Sequence, residues 1–75
     1  MEDVRVRFGK EVRRKRNKLG VSQEEFADKA KIHRTYVSSV ELGKVKVGIG
    51  IAQQLANALE IPLSRLWLEI EKRRL

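Results

Sequence analysis

Five polar side chains crowd into one short stretch of this chain: His33, Arg34, Thr35, Ser38 and Ser39. Each donates or accepts hydrogen bonds, and all but Arg34 are short. Arg34 carries a planar fork that matches O6 and N7 of guanine, and Thr35 adds a methyl suited to thymine. On one helix face such residues could read base edges in the major groove, with Ser38 and Ser39 tuning neighbouring positions. The bland alternative for any such face taken alone is solvation. Catalysis is poorly supplied. The chain has one His, one Tyr and no Cys, and it shows neither paired carboxylates in an apolar setting nor a glycine-rich phosphate loop. We therefore expect no enzyme and no cofactor; a metal site would need ligands that the chain does not offer beside His33.

Two short helices must hold these residues up. Ser22 followed by Glu25 makes a capping box, in which hydroxyl and carboxylate each satisfy an amide at the helix start. Phe26, Ala27 and Ala30 then recur at helical spacing. The pattern breaks at Lys31-Ile32-His33 and restarts with Val37 and Val40. So short a break predicts a sharply bent helix-turn-helix rather than an antiparallel hairpin. Ala27 leaves room for the second helix to cross closely, and Ile32 can plug the angle between the two. His33 either caps the second helix or reaches a phosphate. Tyr36 can pack its ring beneath that helix while its hydroxyl reaches the DNA backbone. Gly43 ends the helix, and Lys44 and Lys46 beyond it are candidate phosphate contacts.

The remaining helices frame this unit. A first helix is expected from Val4 to Leu19, with Phe8, Val12 and Leu19 inward and Gly20 as its stop. Gly9 inside it costs about 1 kcal/mol relative to Ala, which points to close packing. Its other face carries Arg5, Arg7, Lys10, Arg13, Arg14, Lys15, Arg16 and Lys18 against Glu11 alone. Like charges at this spacing repel, so part of the face is expected along a phosphate backbone; the alternative is plain solvation. A fourth helix is expected from Ile49 to Leu59 and a fifth after Pro62, with a tail from Glu69 to Leu75 that frays. In the fifth, Leu63, Leu66 and Ile70 form an apolar stripe beside Trp67, which is either core or a dimer surface.

Seventy-five residues make one domain, 1–75, of a size at which oligomerisation helps stability. The net charge of +7 and a pI near 10.3 point to a polyanion partner, nucleic acid first and an anionic membrane surface second. Without cysteine there is no disulfide framework and no thiolate metal site. No signal-like or membrane-spanning run is present, so a cytoplasmic protein is expected.

Gln23-x-x-x-Ala27, then Ile32, Val37 and Val40, then Glu41-x-Gly43-Lys44, resembles the helix-turn-helix family of phage Cro and repressor proteins. IHRTYVSSVELGK and EIPLSRLW are most similar to the controller proteins of restriction-modification systems. The resemblance, covering roughly Phe8 to Trp67, implies a compact all-α domain of five helices around the helix-turn-helix. It implies a buried ion pair between Arg16 and Glu41, and a Gln23 side chain that bridges a phosphate and the recognition helix. It favours a dimer surface of Leu63, Leu66, Trp67 and Ile70. The family usually has Gly where Lys31 stands, because the backbone there is left-handed, a conformation costing a Lys about 1 kcal/mol. It commonly has Arg where Leu42 and Val45 stand, so this loop is less polar than usual. The function implied is sequence-specific binding of double-stranded DNA by a homodimer on a pseudo-palindromic operator. Transcription would be controlled by competing with or contacting RNA polymerase. Rival readings are an antitoxin-type or phage repressor-type protein with a protein partner, and a membrane-active basic helix, for which the first helix has too few large apolar residues.

Overall fold

The computed structural model describes residues 3–73. Five helices follow one another, α1 (Val4–Leu19), α2 (Gln23–Ala30), α3 (Arg34–Glu41), α4 (Ile49–Ala58) and α5 (Leu63–Arg73), with no strand among the described residues. The all-α, five-helix expectation holds.

Most boundaries have a local cause. Asp3 caps α1, its Oδ1 accepting from the Arg5 N–H at 2.7 Å, and Gly20 at φ 74° closes the helix. Both halves of the capping box start α2: the Glu25 N–H donates to Ser22 Oγ (3.1 Å) and the Ser22 N–H to Glu25 Oε1 (2.9 Å). Lys31 ends α2 at φ 61°, and the next amide, on Ile32, reaches back to the Ala27 carbonyl at 3.1 Å. That bond and the partly buried Ile32 side chain make a Schellman cap with a Lys in glycine's place. Gly43 ends α3 in the same way at φ 72°, and Glu60 at φ 64° follows α4.

The core is a knot of apolar residues from all five helices, with Phe26, Leu55, Leu66, Val12, Val37 and Ile70 almost wholly buried. Helix α1 crosses the C-terminal end of α3 at backbone distance. A Cβ at Gly9 would collide with the carbonyl oxygen of Val40 and lie 2.8 Å from that of Glu41, so only glycine fits.

Four expectations change. Leu19 is 41% exposed, because the last turn of α1 runs past its neighbours and Val21 packs against the core instead. Glu11 is not on a solvated face; it is buried against Arg73, just as Arg16 is buried in the pair with Glu41 that the resemblance implied. Leu66 and Ile70 are core residues at 0% and 2% exposure, so they present no surface to a second chain. The C-terminal segment does not fray from Glu69: α5 stays helical through Arg73, tied to α1 by Arg73 Nε on Glu11 Oε1 at 2.6 Å and Lys15 Nζ on Glu69 Oε1 at 2.6 Å. Arg74 and Leu75 lie outside the described residues, as do Met1 and Glu2. No helix among the described residues is long and apolar enough to cross a membrane.

Candidate nucleic-acid interface

Helix α3 buries Val37, Val40 and Glu41, and the period of 3.6 residues then turns Thr35, Ser38 and Ser39 away from the core, while Arg34 is exposed beside them as the first residue of the helix. Arg34 and Thr35 are exposed; Ser38 and Ser39 are half-buried. None of the four side chains has an ion pair or hydrogen bond among the described residues, so their donors and acceptors are open to a ligand. Leu42 shares this face at 56% exposure and was not picked out by sequence reasoning as a contact. The signal for it was present, since the resemblance places a DNA-facing side chain there; its apolar end suits a thymine methyl.

His33 acts as a cap: its Nδ1 accepts from the Thr35 N–H at 3.1 Å. That bond leaves the proton on Nε2, which points away from the cap and is able to donate to a phosphate. Both alternatives for His33 are thus compatible in one tautomer. Tyr36 packs against the core, and its exposed hydroxyl lies 3.5 Å from the carbonyl of Lys46 in the α3–α4 loop. Lys44 and Lys46 are exposed on this loop. Helix α4 begins at Gly48 without a side-chain cap, and Ile49 beside it is 83% exposed, an unusual value for an isoleucine.

The orientation of α3 is set by a buried polar cluster. Arg16 holds Glu41 through two hydrogen bonds, Nε to Oε2 at 2.7 Å and Nη2 to Oε1 at 3.1 Å. Its third nitrogen donates to the Val21 carbonyl at 2.9 Å. Gln23 Nε2 donates to Glu41 Oε1 at 3.0 Å. Helices α1 and α2 and the end of α3 are therefore locked at one carboxylate. Both sides of the ion pair are desolvated, at 10% and 2% exposure, so the fork geometry is held tightly. Gln23 makes the link to α3 that the resemblance implied, and its amide oxygen has no partner among the described residues. Leu63 is half-buried against the core, whereas Trp67 and Leu68 are exposed on the outer side of α5.

Among the described residues no cluster of His, Cys, Asp or Glu is arranged to hold a metal ion. What the surface offers is a protruding helix with a hydrogen-bonding face, flanked by lysines on a loop and by a positioned glutamine. That combination fits a duplex groove between two phosphate strands.

Known proteins match this arrangement. The family described as helix-turn-helix matches residues 12–66. Control protein C.MunI of a Mycoplasma species is 38% identical over 73 residues, covering 96% of this chain and 99% of that protein. Control protein C.BamHI of Bacillus amyloliquefaciens is 35% identical over 60 residues, 79% of this chain and 74% of that one. The crystal structure of the restriction-modification controller protein C.AhdI from Aeromonas hydrophila superposes with a TM-score of 0.80 at 37% identity, over 83% of this chain and 94% of that one. The clp gene regulator ClgR from Corynebacterium glutamicum shares the fold at a TM-score of 0.89 with 22% identity, over 97% of this chain and 95% of that one.

Proposed function

Because this chain belongs to the helix-turn-helix family, alongside the restriction-modification controller proteins, we propose that it regulates its own promoter and that of a restriction endonuclease by binding a pseudo-palindromic operator as a homodimer. It is a DNA-binding transcriptional regulator of the controller type. Two-fold symmetry sets the recognition helices about 34 Å apart, in successive major grooves on one side of the duplex. Arg34, Thr35, Ser38 and Ser39 read bases, while Gln23, His33, Lys44 and Lys46 hold phosphates. Tyr36 supports the loop that carries Lys46. A bound dimer acts by blocking RNA polymerase or by touching it.

The observation that carries this reading is the open face of α3, presented by a helix whose orientation is clamped through Glu41. The experiment separates reading from holding. Binding is measured to operator and to scrambled duplex across a salt series for Arg34→Ala and Lys46→Ala. Arg34→Ala should lose about 1–3 kcal/mol on the operator and relax preference at one base pair per half-site. Lys46→Ala should weaken both duplexes alike and flatten the salt slope by about one unit. If Arg34→Ala weakens both duplexes equally, Arg34 is a phosphate clamp and the base-reading assignment fails.

A further inference from the structure

The chain's net positive charge lies mostly outside the helices that carry the recognition face. Residues 21–62, which hold α2, α3 and α4, contain five Lys or Arg and five Asp or Glu. The excess lies outside them, with eight cations against three acids in residues 1–20 and four against two in residues 63–75. The structure gathers much of this charge around one cleft between the outer face of α1 and the end of α5. The cleft has a volume of about 350 Å³ and is lined by Arg7, Lys10, Arg13, Arg14 and Arg73, with Asn17 at its rim and Glu11 in its floor. It includes no residue of α2, α3 or α4.

Glu11 does not neutralise this cleft; it organises it. Its side chain is 2% exposed, with Arg73 Nε 2.6 Å from Oε1 and Arg14 Nε 3.8 Å from the same oxygen. The other oxygen, Oε2, is buried without a hydrogen bond, 3.8 Å from Lys15 Nζ. One carboxylate thereby holds the Arg73 guanidinium of α5 and draws Arg14 of α1 close to it. Arg7 is held in turn by the Ile70 carbonyl at 3.3 Å and Glu71 at 3.7 Å. Arg13 has no ion pair or hydrogen bond of its side chain among the described residues. Several arginines lining one cleft, with planar donors, suit phosphate oxygens, and the repulsion among them is relieved when an anion enters.

We propose that the α1–α5 cleft is a second phosphate-binding site, separate from the recognition surface of α3. Its ligand is a phosphate group, supplied either by the DNA backbone beyond the groove that α3 enters or by a free polyphosphate. The site contributes affinity without base preference.

Two double variants test it. R13Q/R14Q removes two exposed charges from the cleft. K18Q/K72Q removes two exposed charges outside it and controls for net charge. Each is melted with and without sodium pyrophosphate, and each is titrated across a salt series with operator duplexes that end at the site or run one helical turn further on each side. Parent and K18Q/K72Q should gain melting temperature with pyrophosphate, or bind the longer duplex more tightly with a salt slope steeper by about one unit per added phosphate contact. R13Q/R14Q should lose that response and keep its preference for operator over scrambled DNA. That retained preference keeps a failure here distinct from a failure of the base-reading face. A pyrophosphate response alone identifies a free polyphosphate as the ligand, and a flank response alone identifies the DNA backbone. If R13Q/R14Q responds to both probes as the parent does, or both double variants lose the response equally, the cleft is not a phosphate site. Arg13→Gln alone, on an exposed position, repeats the test should the double variant fail to fold.

Discussion

Glu41 is the residue on which the recognition helix turns. Its carboxylate takes three hydrogen bonds, two from Arg16 and one from Gln23, in a setting with little water. Removing it strands the Arg16 guanidinium, so Glu41→Ala should cost about 3–5 kcal/mol of stability in thermal or denaturant unfolding. A variant melting within a degree or two of the parent would show that the pair carries no such weight. Lys31 behaves in the opposite sense. It sits at φ 61° at the end of α2, where a Cβ crowds the following carbonyl oxygen. Lys31→Gly should raise stability by up to about 1 kcal/mol, less the extra entropy that glycine has in the unfolded chain. A lower melting temperature for that variant would mean that the backbone relaxes out of the left-handed region in solution.

Helix α5 is the element whose docking depends most on charge. Leu66 and Ile70 plug the core, Trp67 meets Phe8 with ring centroids 5.6 Å apart, and Glu69 is bonded to Lys15 of α1. The hydrogen bond from Lys15, and then that from Arg65, hold the Glu69 carboxyl down at about 2 from the ordinary 4.5. A carboxyl whose folded value lies below its unfolded one stabilises the fold when ionised. Its contribution is complete above about 4.5 and is lost as pH falls towards 2. Glu69→Gln should therefore be less stable than the parent at neutral pH, and the difference should shrink as the solution is acidified through that window. Trp67 fluorescence during urea unfolding reports it, and a difference that stays constant with pH would contradict the assignment. Helix α1 shows the same interplay. Its inner face needs Gly9 to approach α3, and its outer face needs Glu11 to receive α5.

At the scale of the whole molecule, the surface divides into the open polar face of α3, a basic cleft and an apolar patch. The patch holds Trp67 and Val4, at 39% and 49% exposure, around a small depression that reaches Phe8 and Ala52, and Leu68 at 51% exposure follows Trp67 on the outer side of α5. We propose it as the contact between two copies. Leu68→Glu should then yield a folded monomer with much weaker operator binding, whereas Ile70→Glu should unfold the chain, since Ile70 is core. Sedimentation that finds the parent monomeric at about 100 µM and on DNA would refute dimerisation, because specific operator complexes form far below that concentration.

Local chemistry was legible in the residues themselves. The capping box at Ser22 and Glu25, the glycine stop at Gly20, the narrow seam of Val37 and Val40 and the break at Lys31 each depend on neighbours within a few positions, and residue type and periodicity report them directly, while the left-handed backbone at Lys31 was readable through the family resemblance. The pairing of Arg16 with Glu41 was also readable, through the family resemblance and not through spacing. Contacts between distant helices were not. Glu11 reads as a lone acid on a basic face, and only the return of α5 brings Arg73 to it, 62 positions away in sequence. Leu66 and Ile70 show the same amphipathic stripe whether they face a core or a partner. The stripe sets which side of α5 is apolar, and the tertiary packing of α1 and α4 decides what covers it. Periodicity along one helix carries no information about the angle at which another helix arrives, and that angle chose between a solvated charge and a buried one.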